Sequence, residues 1–289
     1  MTCTLAELSR LFVENRFEWL LPVILSRTTD PLWPDPNASL DKRVELEIYG
    51  EVVRANASMI VHKMVACSLL HKKLFIFSPN VRLEKVERAA TGIHAFEFTQ
   101  LDFEIRNASS AGVRAFVETV LTRLMEKVGK TVKNEFEVLG VKPATLKPPF
   151  PIYDFAELVD RYGNVWESAF AAELKEPAWV VNMPREFYDY ENFETGKWDN
   201  YDLFLPGYGE VLSGSKREYE YEKLLKKIER DHVEKSNYKV LLSLAKSGRL
   251  KPSAGAGIGV ERLVGWLTGT KHLSEVQPFP KIPGEIHDL

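Results

Sequence analysis

Two stretches of the chain bring together residue types that can handle a nucleotide. In the first, Gly255, Gly257 and Gly259 alternate with Ala256 and Ile258. Side chains of a strand point to alternate faces, so these glycines would leave one face bare, and a flat base can lie against bare backbone. Val260, Leu263, Val264 and Leu267 follow at helical spacing, which puts Arg262 in a first helical turn, within reach of a phosphate. A glycine strand packed tightly against a neighbour would read the same way. In the second stretch, Arg82 and Glu84 share one face while Val81 and Leu83 share the other. Downstream, Phe98, Gln100, Asp102 and Glu104 alternate with Leu101, Phe103 and Ile105. One side is apolar core; the other gathers a cation, carboxylates, an amide and a ring. A solvated sheet face also carries charges, and it is Phe98 among them that points to a site.

Two better-known phosphate motifs are excluded. Val128-Gly129-Lys130-Thr131 ends like a P-loop, but Leu124 stands where the first glycine is required, on a helical apolar stripe. Gly255-Ala256-Gly257-Ile258-Gly259 lacks the two residues that precede the third glycine of a dinucleotide fingerprint.

The elements that must carry these residues follow from periodicity. Thr4 and Glu7 predict a capped helix with Leu5, Leu8 and Phe12 on one face. An apolar stretch from Phe17 to Leu25 is interrupted by Pro22, and a proline-rich loop covers Asp30 to Pro36. Val44, Leu46 and Ile48 alternate with charges. Leu74 to Glu84 and Ala95 to Ile105 predict an antiparallel pair flanking the polar loop Lys85 to Ile93. Ser110 to Val128 predicts a helix with Val113, Phe116, Val117, Val120, Leu121 and Leu124 as its stripe. Residues 140 to 151 hold four prolines and read as a connector. A short helix near Asp154, strands from Pro177 to Ser213, a charged helix from Arg217 to Arg230 and another from Tyr238 to Lys246 complete the chain. Strands and helices do not alternate regularly, so the expected class is α+β, an antiparallel sheet flanked by helices, in one domain over residues 1–289.

Composition sets the boundaries. The 289 residues are 45% hydrophobic and 27% charged, with a formal net charge of −3. That supports a substantial core, and no basic block suggests a nucleic-acid binder. Cys3 and Cys67 make no disulfide framework, and Cys67 is expected to be buried. No run reaches the ~20 apolar residues of a membrane helix, and Glu7 is out of place in a signal peptide. A cytoplasmic protein is expected. His62 and His71 read as structural or exposed.

Gly255-Ala-Gly-Ile-Gly-Val-Glu-Arg262 and the following Val276-Gln-Pro-Phe-Pro-Lys281 resemble motif 3 and the tail of the aspartate- and asparagine-type class II aminoacyl-tRNA synthetases. Asn80-Val-Arg-Leu-Glu84 with His94 to Glu104 resembles motif 2, and Gly207 to Glu218 resembles the strand for metal and amino acid. Leu20 to Asp30 is similar to motif 1 and the loop after it. The resemblance implies that Arg82 binds the α-phosphate of ATP and that Glu84 accepts from the adenine amine. It implies Phe98 on the adenine, Arg262 on its other face and near the γ-phosphate, and His94 near the phosphates, with Gly257 and Gly259 lining the ATP site. It implies magnesium on Asp202, Glu210 and Ser213, hard oxygen ligands that suit the ion. Arg217 would select a substrate carboxylate with its guanidinium fork. Asp30 would meet the substrate amine, and Gln100 and Glu104 would complete the aspartate pocket.

The departures bear on substrate. Ala57-Ser58-Met59 stands where the subgroup holds its amino acid with a glutamine, so Met59 replaces that amide, and His62 stands near the place of an aspartate-enzyme lysine. The first motif begins within the first thirty residues, so the resemblance leaves no room for the anticodon-binding barrel, and tRNA is not expected. The chain resembles the archaeal-type asparagine synthetases, cores akin to asparaginyl-tRNA synthetase. That implies adenylation of aspartate and attack by free ammonia, forming asparagine, AMP and pyrophosphate in a homodimer. Thr2 stands where a glutamine-dependent enzyme would expose a cysteine after Met1 is removed. Two other readings stay open: a paralogue that aminoacylates a tRNA or protein, and a non-catalytic amino-acid sensor.

Overall fold

The computed structural model describes residues 1–32 and 40–286. Its centre is an eight-stranded sheet. In chain order the strands are β1 (Glu18–Trp19), β2 (Lys73–Val81), β3 (Glu97–Arg106), β4 (Ile152–Asp154), β5 (Ala178–Val181), β6 (Asn200–Leu205), β7 (Gly209–Lys216) and β8 (Ser253–Gly259). Across the sheet they run β1-β2-β3-β8-β7-β6-β5-β4. The five inner pairings are antiparallel; the two outermost, β1 with β2 and β5 with β4, are parallel. The α+β expectation therefore holds. Smaller sheets pair Leu40–Lys42 with Leu83–Glu84, and set Leu25–Ser26 and Glu45–Ile48 on either side of Glu51–Ala55.

The helices are α1 (Thr2–Glu14), α2 (Ile60–Leu69), α3 (Ser110–Thr131), α4 (Lys133–Leu139), α5 (Phe155–Tyr162), α6 (Trp166–Glu173), α7 (Tyr221–Arg230), α8 (Lys239–Lys246) and α9 (Val260–Thr268). Period-two alternation sorts the central strands into two faces. Leu101 and Phe103 of β3, with Ala254, Ala256 and Ile258 of β8, join α1, α3 and α9 in the main apolar core. Phe12, Phe17, Phe75, Phe103 and Phe116 pack against one another within it, in edge-on, stacked and tilted pairs. Glu118 of α3 accepts from Trp179 Nε1 at 2.8 Å and from the Phe150 amide at 3.1 Å, tying the helix to β5. The opposite face of β3 and β8 carries the polar residues. Helices α2, α7 and α8 share a separate apolar cluster with Phe187 and Tyr188.

Several local expectations are corrected. Thr4 does not cap α1. The helix starts at Thr2, so Thr4 is buried inside it and Glu7 pairs with Arg10 instead. Arg82 and Glu84 do not continue one strand. β2 ends at Val81, and Leu83–Glu84 turns to pair with Leu40–Lys42. The polar loop after it contains a 3-10 turn, Val86–Thr91. Arg217 does not begin a helix; it bridges to Asp189 beyond the end of β7, and α7 starts at Tyr221. Arg217 is 3% exposed, as a carboxylate-binding role for it requires. The Pro-rich loop of Asp30 to Pro36 is described as far as Leu32; its remainder lies outside the described residues. Among the described residues no helix is long and apolar enough to cross a membrane.

Candidate active site

Register brings the polar residues into rows. Gly257 of β8 lies opposite Asp102 on one side and Ser213 on the other, and Ser213 lies opposite Asp202. The next row is Glu104, Gly255, Ser215 and Asn200. The glycines make space for their neighbours. A Cβ on Gly255 would lie 2.3 Å from Glu104 Oε2 and 2.2 Å from the Phe103 carbonyl oxygen. Gly255 is therefore a close-packing glycine, while Gly257 and Gly259 line cavities.

One cavity, of about 160 Å³, is lined by Asp30, Lys63, Gln100, Asp102, Glu186, Asp189, Ser213 and Arg217, among others. Its floor is ionic. Lys63 Nζ lies 2.7 Å from Asp102 Oδ1 and donates to the Ala256 carbonyl at 3.0 Å. Arg217 donates from Nη1 to Asp189 Oδ1 at 2.9 Å, from Nη2 to the Gly255 carbonyl at 3.1 Å and from Nε to Glu104 Oε1 at 3.3 Å. Ser253 adds a hydroxyl to Glu104 at 2.8 Å. Burial alone would depress the Arg217 guanidinium, but Glu104 and Asp189 outweigh it and hold the group above its ordinary value. Asp30, 5% exposed, accepts from the Leu32 amide at 2.8 Å and from the Tyr188 hydroxyl at 3.0 Å. Glu186 is half-buried, and burial followed by the charge of Asp30 pushes its carboxyl up to about 8.

A larger groove, of about 930 Å³, opens beside it. It is lined by Arg82, Glu84, His94, Glu210 and Arg262, and a smaller recess there adds Phe98, Gln100 and Gly259. The Arg82 guanidinium lies 5.2 Å from the Phe98 ring centroid, and its Nε donates to the Ala57 carbonyl at 3.1 Å. Glu84 is held by Arg88 at 2.9 Å. Glu261, in the first turn of α9, accepts from the Thr99 amide at 3.0 Å and fixes the helix start. Arg262 then donates to the Ile93 carbonyl at 3.0 Å and the Glu210 carbonyl at 2.9 Å. His94 bonds Thr91 at 2.6 Å; burial, then Arg262, Arg88 and Arg82, push its imidazole down to about 3. Groove and pocket share Arg82 and Glu210.

Glu210 reaches this junction through a bulge. Leu203 pairs with Leu212 and Phe204 with Glu210, so Val211 is the extra residue. Val211 and Leu212 both enter the apolar core, and Glu210 joins Ser213 at the pocket although a regular strand would oppose them. Arg185 contacts Asp202 Oδ2 and Ser213 Oγ, while Asp202 Oδ1, buried, has no partner among the described residues. Among those residues no group of three or more His, Cys, Asp or Glu is placed to hold a metal. Two carboxylates and a hydroxyl nevertheless suit magnesium, which binds one or two carboxylates together with substrate phosphates. The orphaned Asp202 oxygen fits that arrangement.

Four charged pocket residues carry no role in the sequence reading: Lys63, Arg185, Glu186 and Asp189. The resemblance puts His62 near the place of an aspartate-enzyme lysine, but Lys63, one residue later, lines the pocket. His62 itself turns away to Ser26, 3.1 Å from its hydroxyl. The readable signal for Lys63 was a charge on the apolar stripe of α2, between Ile60 and Cys67.

Residues 46–283 match the family model described as tRNA synthetases class II (D, K and N). The fold is similar to asparaginyl-tRNA synthetase from Pyrococcus horikoshii complexed with asparaginyl-adenylate, with a TM-score of 0.84 and 22% identity over 99% of this chain and 68% of that one. The asparaginyl-tRNA synthetase of Entamoeba histolytica, also with asparaginyl-adenylate, gives 0.84 at 19% identity, covering 97% of this chain and 65% of that chain. A putative aspartyl-tRNA synthetase from Leishmania major Friedlin gives 0.79 at 17%, covering 99% and 64%. This chain thus spans about two thirds of the length of these structures.

The low His94 value has a definite sign. The unfolded imidazole takes its proton near 6.5, the folded one only near 3. Stability contributed by this group is full above pH 6.5 and declines as pH falls towards 3. In an NMR titration the His94 ring should stay neutral from pH 8 to about 4. A midpoint near 6.5 would show that the ring is not held among these guanidinium groups.

Proposed function

The chain belongs to the class II tRNA synthetases (D, K and N), and from that premise we propose that it adenylates aspartate with ATP and transfers the activated acyl group to ammonia, forming asparagine, AMP and pyrophosphate. The observation that carries this reading is the junction at Arg82. A carboxylate-binding pocket and a nucleotide-sized groove meet there, with Arg82 and Glu210 in both linings. Adenylation needs a carboxylate oxygen brought in line with an α-phosphate, and holding the two reactants in register removes much of the entropic barrier.

The residues divide the work. Lys63 and Arg217, both buried and fixed by carboxylates, favour a substrate carboxylate at the pocket floor. Asp30 takes the substrate ammonium group and Gln100 completes the pocket wall, whereas Glu104, fully buried, does not line the cavity and acts by holding Arg217. With the α-carboxylate on the floor, the side-chain carboxylate faces Arg82 and the α-phosphate. Arg82 stabilises negative charge developing on that phosphate. Glu84 accepts from the adenine amine, and Phe98 and Arg262 enclose the base. His94, kept neutral, lies beside the phosphates as a hydrogen-bonding group. Gly257 and Gly259 leave backbone for close approach. Asp202, Glu210 and Ser213 would hold the magnesium that accompanies ATP, whose contribution is to neutralise phosphate charge. Asp30 and Glu186, acids of the pocket that form no ion pair among the described residues, support a cationic nitrogen donor.

Incubation with ATP, magnesium, aspartate and ammonium should yield asparagine and AMP in equal amounts. ADP and phosphate would contradict the adenylate route. Charging of a tRNA with no asparagine at any ammonium concentration would favour a paralogue with a macromolecular acceptor.

Arg262→Ala should lower the rate of adenylation by ~100- to 1000-fold while leaving the fold intact, the cost of losing one preorganised charge-assisted donor. Arg262→Lys should recover little, because an ammonium lacks the planar face and fork. Arg217→Lys should chiefly raise the aspartate concentration required and leave ATP affinity unchanged. Substrate-saturation curves separate the two; full activity of Arg262→Lys would remove Arg262 from the base.

The assembly is a homodimer in this reading. Trp19 (55% exposed), Leu21 (87%) and Ile24 (56%) form an apolar edge beside β1, a surface that a second copy would bury. Light scattering at micromolar concentration should give twice the chain mass; a stable monomer would refute it.

A further inference from the structure

The amino-acid pocket contains acceptors that its own cations leave unused. Lys63 and Arg217 neutralise Asp102 and Asp189. Among the described residues Glu186 forms no ion pair, and neither does the Asp30 carboxylate, whose hydrogen bonds there come from the Tyr188 hydroxyl and the Leu32 amide. A second observation is independent of this charge count. Asp102 is 1% exposed, lines the same pocket, and leaves Oδ2 without a hydrogen-bond partner among the described residues. A buried carboxylate oxygen without a donor is costly, so a bound N–H donor is expected there. The substrate's single amino group can satisfy Asp30 but not the whole set.

We propose, resting on the reading that ammonium supplies the nitrogen, that ammonium binds on this acid side of the pocket and gives its proton to Glu186. The Glu186 carboxylate takes one N–H proton. The freed lone pair of ammonia forms the new C–N bond at the activated acyl carbon. The C–O bond to the adenylate phosphate breaks, and its electron pair leaves on AMP. A second N–H proton is released to solvent, giving the amide, and nothing is oxidised or reduced. A carboxyl fits this task because the ammonium charge beside it favours its ionised form, which then accepts the proton. Asp30, Arg185, Tyr188, Asp189 and Tyr238 are the ionisable groups whose fields meet at Glu186. The acids among them raise its proton affinity towards that of ammonia, which suits a proton acceptor.

The test compares wild type with Glu186→Gln in two half-reactions and with two nucleophiles. For ammonium chloride, kcat/KM should fall by roughly 100-fold or more, the range for loss of a proton acceptor. Aspartate-dependent ATP–pyrophosphate exchange should stay within about threefold, because adenylation precedes the ammonium step. Hydroxylamine is uncharged at neutral pH and brings no cationic proton to remove, so the variant should form the hydroxamate at nearly the wild-type rate. Unchanged ammonium dependence, or an equal loss with both nucleophiles, would overturn the proposal. Should the glutamine variant lose exchange through misfolding, Glu186→Asp decides by the same ratio of ammonium to hydroxylamine turnover. Wild type that exchanges pyrophosphate yet makes no asparagine would overturn the ammonia reading itself, and this inference with it.

Discussion

Five ionised side chains, Lys63, Asp102, Glu104, Asp189 and Arg217, lie at 3% exposure or less above the middle of an antiparallel sheet. Removing each ion from water costs several kcal/mol after relaxation, and the attraction between partners recovers this only with good geometry and further hydrogen bonds. The surrounding structure supplies those bonds. The Gly255 carbonyl accepts from Arg217 at 3.1 Å and from the Tyr201 hydroxyl at 3.0 Å, and the Ala256 carbonyl accepts from Lys63. Neither central strand can carry a larger side chain here. A Cβ on Gly214 would lie 2.5 Å from Tyr201 and 2.6 Å from the Gly255 carbonyl oxygen. An apolar filling of this space would serve stability as well, so the lattice is best understood through what it presents, two fixed cations at the floor of a small cavity.

The lattice also determines what the sheet must do around it. Its charged row lies on the face opposite the phenylalanine cluster, so β3 and β8 must hold strict alternation. β7 breaks that alternation once, at Val211, and the break brings Glu210 to the boundary between pocket and groove. Glu261 pins the start of α9 to β3, and Arg262 follows from that anchor. Rigid elements thus position pocket and groove relative to each other, while Asp30 and Leu32 line one side of the pocket.

The alternating strands were legible because period-two patterning is strong where one face is core and the other charged. Phe98 to Glu104 and the glycine strand fell into place for that reason, and the long helix α3 did so by its apolar stripe at 3.6-residue spacing. The residues between elements were harder. Arg185, Glu186 and Asp189 lie in an irregular segment between β5 and β6, where no periodicity assigns a side chain to a face. Arg217 received its role from the resemblance but was placed at the start of a charged helix, since local sequence cannot distinguish a solvated run from one that turns inward to meet Glu104, more than a hundred positions earlier. Lys63 was within reach as a lone charge on the apolar stripe of a helix. Thr4 failed as a cap because the helix begins before it, and capping patterns specify chemistry better than position.

Adenylation of the aspartate side chain is tested most directly by oxygen transfer. Aspartate carrying oxygen-18 in its side-chain carboxylate would be converted with ATP and ammonium, and the phosphate of the AMP product analysed by mass spectrometry. Attack of that carboxylate on the α-phosphate requires a single labelled oxygen in each AMP. Label in inorganic phosphate, or AMP free of label while asparagine accumulates, would contradict it.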